Sequence, residues 1–198
     1  MFVQVIKGRT SNAAALTKQG QKWQTDLRPG AVGYVGSTVG VAADGTFVAI
    51  ACFTDDVAAK QNADRPEQDA WFQEFSKLID GEPTFRESID TSLLFDGPTE
   101  KATFVQVMES TCTDREKAEA FESEVLMEQL RTARPDLLGG LRVWLDGNRV
   151  LEAAYFTSEA DARKGEQSEE FGDQGEQFGE LYTDMTFVDL PKPEINLA

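Results

Sequence analysis

Phe2-Val3-Gln4-Val5, at the amino terminus, returns 102 residues downstream as Phe104-Val105-Gln106-Val107. An echo at a fixed offset marks a duplicated unit. Two further echoes keep the same order: Arg28-Pro29-Gly30 with Arg134-Pro135-Asp136, and Cys52-Phe53-Thr54 with Tyr155-Phe156-Thr157. The 198 residues thus read as two halves, each near the usual size of about 100 residues for a small domain. The expected division is a first repeat over 1–95, a short linker over 96–102 interrupted by Gly97 and Pro98, and a second repeat over 103–198.

Each half carries the same succession of elements. Residues 2 to 9 alternate Phe2, Gln4 and Ile6 against Val3, Val5 and Lys7, the period of a strand with two distinct faces. Ser11 or Asn12 can then cap a helix whose stripe is Leu16, Gly20, Trp23 and Leu27, ended by Arg28-Pro29-Gly30. Its counterpart, capped by Thr113 or Asp114, has the stripe Ala118, Phe121, Val125, Leu126 and Leu130 and stops at Pro135.

Strands are expected over 33–41 and 46–54 around Asp44-Gly45, and over 138–145 and 149–157 around Asp146-Gly147. An Asp-Gly pair between β-rich runs is a strong hairpin signal. Thr54 and Thr157 or Ser158 are placed to cap the next helices. Asp64-Arg65-Pro66-Glu67 reads as a fresh helix start with aspartate as the cap, and Trp71, Phe72, Phe75, Leu78 and Ile79 as its buried side. Final strands fall near 82–92 and 182–190. The order is β-α-β-β-α-β twice, so the fold class is α+β with two tandem ferredoxin-like repeats.

Such a sheet has helices on one face, and here its other face is apolar as well, so two halves can cover each other. On these marks the sequence resembles the dimeric α/β-barrel superfamily, in particular antibiotic-biosynthesis-monooxygenase-like domains, fused in tandem as an intramolecular pseudo-dimer. The marks are the element order, the paired Phe-Val-Gln-Val strands, the Phe-Thr junctions, and Asp64-Arg65-Pro66-Glu67-Gln68 with Trp71 after it. The resemblance covers most of 2–92 and 104–190. It implies a small-molecule cleft in each half and a chemistry that ranges, across members, from cofactor-free oxygenation of aromatic compounds to haem degradation and to proteins of no known activity.

Composition narrows those choices. There is no histidine, which removes histidine-ligated haem, zinc triads, Ser-His-Asp triads and Cys-His dyads, and with them the haem-degrading branch. Cys52 and Cys112 form no CxxC pair and read as reduced structural thiols. No metal or cofactor is expected. A formal charge of −16 repels phosphate backbones and anionic lipid, so neither nucleic acid nor membrane is an expected partner. The amino terminus lacks the pattern of a signal peptide and no apolar run is long enough to span a bilayer, so the expected setting is cytoplasmic. The fused repeats already satisfy the usual pairing, which makes a monomer the default with further dimerisation open.

The expected partner is a small hydrophobic or aromatic molecule. Its candidate contacts are Gln4 and Gln106, which interrupt apolar strands at matching places; Trp23, Tyr34, Asn62, Arg65 and Trp71 in the first half; and Trp144 and Tyr155 in the second. Buried amides must be hydrogen-bonded, and in a cleft they orient a carbonyl or phenol; the competing reading bonds them to neighbouring strands. Trp23 and Trp71 lie on helical apolar stripes, the usual place of core residues. No catalytic residue is assigned, although Glu109 or Glu152 could serve as a general base if buried rather than solvated.

The segment 165–180, rich in Gly and Glu, loosely replaces the Trp71 helix. The first-half cleft is therefore expected to be the intact one and the second the degenerate one. The function reading is a cofactor-independent monooxygenase-like enzyme for a small aromatic compound; the alternative is a ligand-binding or scaffold protein without chemistry.

Overall fold

The computed structural model describes residues 1–95, 97–121, 127–167 and 178–197. The expected stripe positions Val125 and Leu126, and Gly172 and Gly175, lie outside them. The chain divides into two compact units, one comprising Met1–Asp90 with Pro193–Ala198, the other Thr91–Lys192.

The first unit runs β1 (Phe2–Arg9), α1 (Ala13–Lys22), β2 (Tyr34–Val41), β3 (Thr46–Phe53), α2 (Asp56–Ala63), α3 (Pro66–Ser76) and β4 (Thr84–Ser88). The second begins with β5 (Thr91–Phe95) and continues β6 (Phe104–Cys112), α4 (Arg115–Phe121), α5 (Met127–Ala133), β7 (Leu137–Trp144), β8 (Arg149–Phe156), α6 (Glu159–Glu166) and β9 (Tyr182–Pro191); β10 (Glu194–Leu197) belongs to the first unit. The sheets have the orders β10-β2-β3-β1-β4 and β5-β7-β8-β6-β9. Both are antiparallel throughout. The ferredoxin-like order thus appears twice, each time with one additional edge strand.

Those edge strands correct the expected boundaries. The single strand expected over 82–92 is two strands separated at Ile89 and Asp90; the second of them pairs with β7, and the chain's last residues pair with β2. The division accordingly falls at Asp90 rather than in the 96–102 linker. Local composition is silent here because the choice of sheet is made by long-range pairing.

Helix starts follow the chemistry of the free amides. Asn12, Asp55 and Ser158 accept from Ala15, Ala58 and Asp161 at α1, α2 and α6, and Asp114 accepts from the Lys117 amide at α4. Asp55 takes the place expected for Thr54. The N-cap of α3 is Arg65, without a side-chain cap, and Pro66 supplies the fixed φ of the first turn. The hairpins turn through Gly45 and Gly147 at φ 88° and 69°, the left-handed region glycine tolerates.

On β1, Phe2 and Ile6 face the helices, packing with Tyr34, Phe53 and α2 in one cluster and with Leu16, Phe47 and Phe75 in another. Val3 and Val5 lie on the opposite face and are buried, as are Val48 and Ile50. Both cysteines are free, and burial pushes the Cys52 thiol up to about 11, so it stays protonated and unreactive. Among the described residues no helix is long and apolar enough to cross a membrane.

The caps set the acid response. Asp44 and Asp114 are held below 3.8 chiefly by backbone amides of Thr46 and Lys117, and Asp161 by the Ser158 and Thr157 hydroxyls. A folded pKa below the unfolded one gives stability that is present above the unfolded value and lost as pH falls through the folded value. With no histidine to titrate, the melting temperature should be nearly flat between about pH 6 and 8. It should fall once pH drops below 3.8; melting curves over a pH series check this.

Candidate functional site

In the first unit Trp23, Tyr34, Asn62 and Arg65 lie together without Trp71, and their polar tips are bonded to one another and to their neighbours. Trp23 Nε1 donates to Gln68 Oε1 at 2.6 Å, and Asn62 Nδ2 reaches the same oxygen at 3.4 Å. Arg65 Nη1 donates to Asn62 Oδ1 and to the Leu27 carbonyl, each at 3.0 Å. Trp23 lies 5.0 Å from Tyr34 between ring centroids. It opens a π-helical turn, Trp23–Leu27, that carries Gln24 toward Tyr34 and Ser37. Trp71 belongs to a neighbouring cluster: its ring stacks on Phe75, its Nε1 donates to the Gln19 carbonyl at 2.8 Å, and Gln19 Nε2 returns a bond to the Trp71 carbonyl at 3.2 Å. These contacts are those of a packed core between α1, α3 and the sheet.

Gln4 and Gln106 keep one geometry in both repeats. Gln4 Nε2 donates to its cross-strand neighbour Glu87 at 2.7 Å, and Gln106 Nε2 to its cross-strand neighbour Asp189 at 3.1 Å and to Glu166 on α6 at 3.2 Å. Arg163 completes the second network, bonded to Asp189 and Glu166, which raises its own pKa. The amides join strands through carboxylates rather than through backbone.

A cavity of about 120 Å³ lies in the second unit, between the helix-side face of its sheet and α5. Met108, Ala154 and Gly140 line it from the sheet, and Met127, Leu130 and Phe178 line it as well. Two β-bulges shape one end. The β5–β7 register slips between Leu93 and Phe95, which re-aims Leu94 into the cavity wall, and β7 slips against β8 between Leu137 and Gly139. Gly140 permits the close approach of Leu94, since a Cβ there would meet the leucine at 3.0 Å.

Among the described residues lining this cavity is one charged pair from the sheet. Arg142 on β7 and Glu152 on β8 are directly opposed in register, and both line the cavity. Arg142 Nε donates to Glu152 Oε1 at 2.8 Å and Nη2 donates to the same oxygen. Their side chains are only 5% and 6% exposed. The guanidinium is backed by aromatic faces, 5.8 Å from the Trp144 centroid and 6.0 Å from that of Tyr182.

Trp144, expected as a cleft residue, is therefore core behind the arginine, with Arg115 over its ring at 4.2 Å. Tyr155 sits on the opposite face of the sheet from Glu152 and Ala154. Glu109, also read as a strand-face carboxylate, is buried and paired with Arg149 at 3.1 Å; Glu152 is buried as well, so neither is solvated.

The sister repeat supplies an internal control. Val39 and Ala49 form the corresponding cross-strand pair on β2 and β3, so the same sheet position folds without charge. A buried ion pair is weak support for stability, and its presence in one repeat alone points away from a purely architectural role.

No protein-family model matches the sequence, and neither does any curated protein. Solved structures do match along the whole chain. It is similar to a monooxygenase candidate from Lactobacillus acidophilus, at 10% identity and TM-score 0.77, over 99% of this chain and 95% of that one. It is similar to another from Fusobacterium nucleatum, at 11% identity and TM-score 0.78, over 99% and 94%. An anthrone oxidase-like protein aligns at 11% identity and TM-score 0.63, over 100% and 93%. At such identities the likeness shows the fold alone: two ferredoxin-like repeats in one chain.

Proposed function

We propose that the chain binds a small aromatic compound in the second unit's cavity and acts on it as a cofactor-independent monooxygenase. The observation that carries this reading is the Arg142–Glu152 pair, buried in an apolar cavity at a position the sister repeat fills with Val39 and Ala49. The full-length likeness to monooxygenase candidates supports it at the level of fold.

The residues present suit a reaction in which the substrate itself supplies both electrons. Glu152 takes a proton from an activated ring CH₂, and Arg142 holds the negative charge that develops on the conjugated oxygen. The carbanion passes one electron to O₂, and the radical pair joins through a new C–O bond. The peroxide recovers the proton and loses water, so that CH₂ and O₂ become C=O and H₂O. Met108, Leu130 and Phe178 keep bulk water from the anion. Binding without turnover is favoured by one feature, the two bonds Glu152 Oε1 already accepts from Arg142, which occupy the oxygen a base would use.

Thermal shift against single-ring aromatics, followed by oxygen consumption, tests the reading. A ligand at about a hundredfold excess over Kd should add about 2.7 kcal/mol to native stability. A shift with oxygen uptake is the expected result; a shift without uptake leaves a binding protein, and no shift across the panel overturns the proposal.

A further inference from the structure

We infer that β10 is an exchangeable strand whose partner is a second copy of this chain: two molecules form a dimer by each laying its Glu194–Leu197 on the other's β2. The inference is independent of what the cavity binds.

With four residues, β10 is the shortest strand of its sheet, and it lies at the edge. It pairs with β2 from Glu194 opposite Val39 to Leu197 opposite Gly36. Gly36 admits it closely, since a Cβ there would meet the Asn196 carbonyl oxygen at 2.8 Å. Two side chains add to the backbone ladder. Arg28 Nη2 donates to the Leu197 carbonyl at 2.6 Å, and Gln21 Nε2 donates to Glu194 Oε1 at 2.5 Å. All these partners belong to the receiving first unit, so the β10 of another copy makes the same bonds. They cancel between the closed and exchanged forms, which leaves the hinge and the protein concentration to set the balance.

The hinge is Lys192-Pro193, where the chain leaves the second unit for the first. Among the described residues, Asn148, Asp184 and Lys192 are the non-glycines with left-handed backbone, at φ 60°, 54° and 53°. Asparagine and aspartate visit that region with the help of a short polar side chain. Lysine has no such help, and the following proline pushes its backbone toward an extended form. The bend directs β10 onto the β2 of its own chain. An extended Pro191-Lys192-Pro193 releases the strain and frees the strand for another copy, the condition under which short hinges favour exchange. The sister crossing at Ile89-Asp90, ahead of β5, contains no left-handed residue, so the strain is confined to the crossing that carries β10.

The test is light-scattering sizing of the intact chain over a concentration series, each sample first warmed to just below its melting temperature and cooled so that the two forms equilibrate. A dimer fraction that rises with concentration is expected. The left-handed backbone disfavours an L residue against glycine by roughly tenfold, and a hinge opens in each copy, so Lys192→Gly should raise the dimer Kd about a hundredfold. Lys192→Val keeps the amide that donates to the Thr103 carbonyl and adds the β-branch that this backbone tolerates least, so it should lower the Kd. Ser37→Cys/Asn196→Cys, directly opposed in register, placed in a Cys52→Ala/Cys112→Ala background, locates the contact. After oxidation the dimer fraction should run as a covalent pair on a denaturing gel and the monomer fraction as a single chain. A dimer whose thiols are oxidised but whose chains separate overturns the inference. So does a Kd unmoved by either hinge change, or a monomer at every concentration in wild type and both hinge variants.

Discussion

Arg142→Met alone should destabilise the protein by about 3–5 kcal/mol, Glu152→Leu alone by a similar amount, and the two together should restore wild-type stability or exceed it by about 1–4 kcal/mol. Either single change breaks a buried pair joined by two hydrogen bonds at a common oxygen. Both changes together remove the charges and keep comparable volume. The methionine retains favourable sulfur contacts with the Trp144 and Tyr182 rings that now back the guanidinium. Val39 and Ala49 already show the fold accepting an apolar pair at this register. Urea unfolding of the four proteins measures the cycle. Additive losses would mean that the two residues are stabilised by separate surroundings, and the pair would lose its standing as one device held for function.

The same cycle separates stability from activity. A double variant that is as stable as wild type but has lost aromatic binding and oxygen uptake identifies a pair kept for what it binds. A double variant that keeps both assigns the cavity's selectivity to its shape.

Much of the architecture is legible in the residues because it is local. The Phe-Val-Gln-Val echo, the two Asp-Gly turns and the caps at Asn12, Asp114 and Ser158 each act within a few positions, and the structure has them where they were expected. The edge strands are different. Thr91–Phe95 and Glu194–Leu197 are short, and their pairing with β7 and β2 depends on partners far away in the chain, which no local pattern encodes.

The site divides in the same manner. Glu152 is a visible candidate because a carboxylate in an apolar strand asks for an explanation. Arg142 was missed, although the hairpin register around Asp146-Gly147 sets it opposite Glu152 and a comparison of the repeats sets both against Val39 and Ala49. Leu94 could not be found, because a bulge, not alternation, turns it inward. Trp23, Asn62 and Arg65 lie together, but residue type cannot show that their polar atoms are already bonded to Gln68, Leu27 and each other.

That contrast gives the second large effect. Trp71→Ala should cost about 3 kcal/mol of stability and leave the affinity for a single-ring aromatic unchanged. The indole stacks on Phe75 at 5.0 Å between centroids and donates to the Gln19 carbonyl, so its removal leaves a hole between α1 and α3 and takes one donor from that carbonyl, while Gln19 Nε2 keeps its bond to the residue 71 carbonyl. None of the residues lining the second unit's cavity is among its partners. Denaturation gives the stability loss, and titration of the folded variant gives the affinity. Among the described residues, the helix-side space of the first unit holds the packing of Trp71 on Phe75, and that of the second opens around a charged pair. Loss of binding in a folded Trp71→Ala protein would move the site to the first unit and make the cavity beside Arg142 a packing defect.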